Sequence, residues 1–238
     1  MRKILDTLSQ KWPEYILEIF VLIIGIYGAF LLDNWNEERK DSSQSMAYLA
    51  ALGEELNQNI TSLEKYHETL SRFLKDTHYY LSIVNGNKEV TDSIILKMTQ
   101  YVHPVWRHEI SDKTINEFIS SGSYELLSDN TLKLYLISIP AAYENFYDAH
   151  EKLEQIWNMN FGPYYQEHAN MIAIWDSLGG YKMPVFPFKS DIDAFSHNRT
   201  FSNMMTIRMR FLANHVRGTN ELIRNLQIVN DQIKAHIQ

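Results

Sequence analysis

Few side chains in this sequence stand where their types and spacing could do chemistry. Glu64 and His67 form a Glu-x-x-His pair, a spacing that puts carboxylate and imidazole on one face of a helix. A di-iron centre in a four-helix bundle needs two such pairs and two further glutamates; one pair is present, so no metal centre is expected there. His103, His108, Glu109 and Asp112 make a denser cluster around Pro104. Imidazole and carboxylate bind zinc, but this spacing matches no defined site, and the expectation is a polar loop surface. Gly-rich phosphate loops, G-x-S-x-G, H-E-x-x-H and C-x-x-C are all missing, so the chain offers no catalytic signature and implies no cofactor. It has no cysteine, which removes thiol chemistry and leaves the compartment undecided.

One ionisable group is conspicuous for its surroundings. Glu18 lies inside the apolar run Tyr15 to Leu32, YILEIFVLIIGIYGAFLL. As a helix, that run covers roughly 27 Å, close to the ~30 Å of a bilayer's hydrocarbon layer. Trp12 and Tyr15 at its entrance and Trp35 at its exit are the amphipathic rings expected as anchors at headgroup level. Tyr27 breaks an A-x-A pattern at Ala29, which favours an uncleaved signal anchor over a removed signal peptide. Arg2, Lys3 and Lys11 precede the run, against Arg39 and Lys40 after it. That balance places the amino terminus in the cytoplasm and the carboxy-terminal part outside it.

Within the run, Glu18, Leu22, Gly25, Ala29 and Leu32 recur at steps of four and three and share one helical stripe. Gly25 and Ala29 make a small-x-x-x-small pair of the kind that lets membrane helices approach closely. A carboxyl on that stripe suggests a contact with protein or water, so Glu18, Leu22, Gly25 and Ala29 form the candidate helix contact. The plainer reading is that Glu18 reaches the interface from one turn inside, while Gly and Ala are common in any membrane helix.

The stretch LEIFVLIIGIYGAFLLDNWNEERKD resembles the opening of an uncharacterised family of bacterial single-pass membrane proteins. Its matching residues are Glu18, Ile19, Leu22, Gly25, Ile26, Ala29, Asn34, Trp35, Asn36 and Glu37. A second stretch, TINEFISSGSYELLSDNTLKLYL, is similar at Ser121, Gly122, Leu126, Leu127 and Asn130. Leu17 departs from the family's glycine and Asp33 from its common asparagine. The resemblance implies a helical protein of the bacterial inner membrane, with no catalytic residues to carry over.

These features must be positioned by helices, since only 9 Gly and 6 Pro interrupt the 238 residues. The expected fold is all-α. Residues 1–14 precede a membrane helix at 15–33, which continues into a helical domain over 34–238 with long first and last helices. From Ala47, Leu49, Leu52, Leu56, Leu63, Tyr66, Leu70, Phe73, Tyr80 and Val84 occupy heptad a and d positions, with Asn59 and Thr77 as polar interruptions. Asn85-Gly86-Asn87 ends that helix. A shorter helix is expected from Ser93 to Val102, capped by Asp92 or Ser93 and stopped by Pro104. Another opens at Asp112 and ends at Gly122, with Ile115, Phe118 and Ile119 inward. Asn130 should cap a longer one through Leu134, Ile137, Tyr143, Phe146 and Leu153, kinked or divided at Pro140. Residues 161–175 read as a buried aromatic helix and 177–196 as the longest loop, marked by Gly179, Gly180, Pro184 and Pro187. The last helix places Met205, Met209, Leu212, Val216, Ile223, Leu226, Ile233 and Ile237 on its apolar stripe, with Thr219 and Asn230 as polar members. It should pack along the Leu49–Val84 helix, although an intermolecular coiled coil uses the same code.

Residues 37–198 hold 13 Lys plus Arg and 23 Asp plus Glu, whereas residues 199–238 hold six basic and two acidic. Opposite signs suit an intramolecular packing. Arg199, Arg208, Arg210, Arg217 and Arg224 read as a solvated helix face; nucleic acid is not expected for a chain of pI about 5.7. The expected partners are the lipid bilayer and, through the membrane helix, a second copy or another membrane protein. Two functional readings follow: a non-enzymatic membrane-anchored interaction protein, or a ligand-sensing bundle that signals through a partner.

Overall fold

A computed structural model describes residues 2–86, 88–102, 106–170, 177–178, 181–182 and 187–237. They are helical apart from connecting turns and one two-residue antiparallel ladder. Helix α1, Arg2–Val84, is a single element of 83 residues, roughly 125 Å long at 1.5 Å per residue. It contains the apolar run and continues without a break into the core. Its described side chains are exposed almost throughout as far as Gln44. Beyond Ser45, the residues Leu49, Leu52, Leu56, Leu63, Tyr66 and Leu70 are buried at steps of three, four and seven.

The partner of that stripe is the last helix, α7, Arg199–Ile237. Gln227 Nε2 donates to Glu64 Oε1, and Ser202 Oγ donates to Asn85 Oδ1, so the two helices run antiparallel within one chain. Gly53 marks their close approach. A Cβ there would come within 3.4 Å of Asn230 Oδ1 and 3.5 Å of the Ile233 side chain. Helix α4, Asn130–Ile156, lies parallel to α1 and completes the principal core with Leu132, Leu136, Ile139, Tyr143, Phe146 and Leu153. Helix α3, Lys113–Ser120, and the 3-10 turn Ser123–Leu126 close the end nearer the apolar run, where Tyr48 meets Phe118. Gly122, at φ 73°, makes the left-handed turn between them, a conformation suited to glycine.

A second apolar cluster fills the far end. It joins the end of α1, helix α2 (Asp92–Tyr101), a π-helical turn (Trp157–Phe161), α5 (Gly162–His168), α6 (Ile192–Phe195) and the start of α7. Strand β1, Ser177–Leu178, pairs with β2, Tyr181–Lys182.

Several expectations need correction. Thr91, not Asp92 or Ser93, caps α2, its hydroxyl accepting from Ile94 N. Asp129 rather than Asn130 caps α4, its Oδ1 accepting from Thr131 N at 2.8 Å and Leu132 N at 3.2 Å. Leu134 and Ile137 point to solvent, because the buried face is set by Leu132, Leu136 and Ile139. Pro140 leaves α4 unbroken. The aromatic helix ends at His168, and the stretch 177–196 contains the ladder and α6. Asn87, His103, Pro104, Trp175, Gly179, Gly180 and Pro184 lie outside the described residues.

Candidate functional site

Helical geometry puts Glu18, Leu22, Gly25 and Ala29 on one stripe of α1, and all four are exposed. A Cβ at Gly25 or Gly28 would meet nothing within 4 Å, so none of the described residues covers the small-residue face. Trp12 and Trp35 are likewise exposed, with the Arg39 guanidinium 5.9 Å from the Trp35 ring. The side chain of Tyr15 lies outside the described residues.

The histidine and carboxylate candidates are dispersed. Glu64 is exposed and accepts from Gln227, while His67 is half-buried. His108 turns inward, its ring stacked 4.8 Å from Tyr66 and its Nε2 3.3 Å from Ser62 Oγ. Glu109 turns outward to Arg107 at 3.4 Å. Among the described residues no group of three or more His, Asp or Glu is arranged to hold a metal.

The polar residues inside the bundle do organised work. Asn59 Nδ2 donates to the Ser111 carbonyl at 2.7 Å and to Tyr143 Oη at 3.1 Å, while its Oδ1 accepts from Ser111 N at 3.0 Å. Glu55 Oε2 accepts from Ser111 Oγ, Thr114 N and Thr114 Oγ1. That carboxylate satisfies a free N–H at the start of α3, where Asp112 makes no side-chain cap. Together the two residues fasten the segment before α3 onto α1.

Two helical turns further along, Tyr66 Oη lies 3.2 Å from His215 Nε2 and 3.5 Å from His150 Nδ1. Phe146 and His108 complete the ring cluster. Burial lowers the pKa of all three histidines. For His108, nearby Glu109 opposes the shift. For His150, Glu154, Glu151 and Glu109 oppose it while Arg107 adds to it. His215 falls to about 4, with His150 adding to the desolvation. Burial pushes the Tyr66 hydroxyl up. At neutral pH the cluster is therefore uncharged, a buried polar core rather than an acid–base pair, in which His215 Nδ1 has no hydrogen-bond partner among the described residues.

Arg208 differs in kind. It is 1% exposed, and its Nε and Nη2 have no hydrogen-bond partner among the described residues. Its guanidinium lies 5.9 Å from the Phe161 ring, at the π-helical turn. Burial lowers its pKa to about 10, with Tyr165 opposing, so the group stays cationic at neutral pH. An uncompensated buried ion costs ~several kcal/mol even after relaxation.

The basic stripe therefore divides: Arg199, Arg210, Arg217 and Arg224 are solvated as expected, and Arg208 is core. His150, His215 and Arg208 were not singled out by sequence as interior groups. A signal was present, since Met205, Arg208, Leu212, His215 and Thr219 fit steps of three and four as well as the apolar stripe does.

Comparison with family models, curated proteins and solved structures finds no match.

Proposed function

We propose that this chain is a membrane-anchored, non-enzymatic interaction protein that associates through the exposed face of its apolar helix. The observation that carries the reading is the exposure of the apolar run: Ile16 through Leu32 forms one helix long and apolar enough to cross a membrane, with none of it buried inside the protein. An uncovered apolar surface of that length needs lipid or another helix. The resemblance of its opening residues to single-pass bacterial inner-membrane proteins supports the same reading. So does the excess of basic residues before the run, which favours a cytoplasmic amino terminus and a periplasmic helical domain. The organised interior polar groups act as internal fastenings, which suits a surface that binds rather than a pocket that reacts.

Crosslinking in native membranes, followed by purification in detergent, tests the proposal. The chain should be recovered as an oligomer or with a membrane partner. Gly25→Leu combined with Ala29→Leu should lower that yield without preventing insertion, because open space at Gly25 becomes a bulky obstruction to close helix packing. A strictly monomeric, partner-free protein, or an unchanged yield in the double variant, would refute it. A reporter fused after Gln238 should be active only outside the cytoplasm.

The ligand-sensing reading is favoured by one specific observation, the buried and unpartnered Arg208.

A further inference from the structure

We propose that the Nε–Nη2 edge of Arg208 binds the carboxylate of a small molecule with an apolar body, held between the π-helical turn Trp157–Phe161 and α7. The two nitrogens without a partner, Nε and Nη2, are those whose N–H bonds lie side by side on one edge of the guanidinium. That edge is a planar two-pronged donor whose spacing matches the two oxygens of a carboxylate. A buried cation is otherwise paired with an anion or a metal-bound group. The ring of Phe161 lies 5.9 Å from the guanidinium carbon, a contact that leaves the Nε–Nη2 edge without a hydrogen-bond partner among the described residues.

The surroundings define the rest of the ligand. Phe161 and Tyr165 are fully buried, and their rings continue into those of Phe195 and Phe201 at 5.0–6.4 Å. Walls of that kind accept an aromatic or aliphatic body and exclude a hydrated one. A single guanidinium matches a monoanion, which argues for a monocarboxylate over a phosphate. The π-helical turn borders this site. Its inner residue Phe161 is buried, while Asn158, Met159 and Asn160 are exposed. The Gly162 N–H reaches back to the Trp157 carbonyl, leaving an irregular and readily adjusted segment of the kind often found at binding sites. This site stands apart from the membrane helix, so its test and the crosslinking test can fail independently.

The full chain in detergent is melted in benzoate, phenylacetate, acetate or chloride at equal ionic strength. Benzoate and phenylacetate should raise Tm saturably, and more than acetate; chloride should not. A ligand at ~100-fold its Kd lifts Tm by roughly 5–10 °C for a chain of this size. Arg208→Met should abolish the response while melting, without carboxylate, at or above the parent temperature, because the uncompensated charge is gone. Arg208→Lys keeps the charge without the paired donors and should lose most of the shift. The proposal is overturned if no carboxylate shifts Tm beyond chloride, or if Arg208→Met or Arg208→Lys responds like the parent. A clear loss of stability in carboxylate-free Arg208→Met would also overturn it, by marking a carboxylate of the protein itself as the partner of Arg208.

Discussion

Acidification from about pH 8 to about pH 5 should loosen the helical domain. His215 carries the effect. It is fully buried against Tyr66 and Phe146, and its pKa drops to about 4 from the ordinary value of 6.5. A group whose folded pKa is depressed binds its proton more readily in the unfolded chain. Its contribution is complete above the unfolded pKa and is lost as pH falls toward the folded one. At about pH 5 the loss from His215 alone is about 2 kcal/mol, equivalent to roughly 4–8 °C in Tm for a domain of this size. His108 and His150 are shifted the same way and steepen the dependence. Thermal melts followed by circular dichroism across that range measure it. His215→Gln keeps a polar side chain but removes the titration, so its melting temperature should fall less on acidification. Parallel pH profiles for parent and variant would refute the assignment, whatever their separation at neutral pH.

Asn59→Ala removes three hydrogen bonds and strands the Ser111 backbone beside Tyr143; the expected cost is about 2–4 kcal/mol in denaturant unfolding, and a loss below about 1 kcal/mol would show that water replaces the amide. Gly122→Ala should cost about 1–2 kcal/mol from the left-handed backbone alone, since a Cβ there meets nothing within 4 Å. Gly122→Asn should recover part of that loss, because asparagine tolerates the conformation, and equal melting of the two variants would contradict this cause.

The long helices were legible because their stripes repeat over many turns; the errors arose where neighbouring residues competed for one role. In α7 the positions Met205, Leu212, Thr219, Leu226 and Ile233 are common to two registers. Met209 and Val216 look like the intervening members because they are apolar, yet the structure buries Arg208 and His215 instead. Packing against α4 and the π-helical turn turns the stripe by one residue, and hydrophobicity alone cannot register a buried cation. In α4, TLKLYLISI offers apolar residues on every side, so the face is decided by what the helix meets. The caps failed by one position in Thr91-Asp92-Ser93 and Asp129-Asn130, where adjacent residues are all good acceptors. The Tyr66–His150–His215 cluster joins residues 84 and 149 positions apart, a juxtaposition that local periodicity does not encode.

The uncovered neck of α1 sets a distance. Between Leu32 and Ser45, the first buried residue among those described, the helix rises about 20 Å. With the apolar run in a bilayer, a headgroup layer ~5–8 Å deep on that side leaves a clearance of roughly 12 Å beneath the bundle. The antiparallel α7 returns its last residue, Ile237, toward the edge of that gap. In that setting the neck would hold the folded unit clear of the headgroups by about the width of one helix.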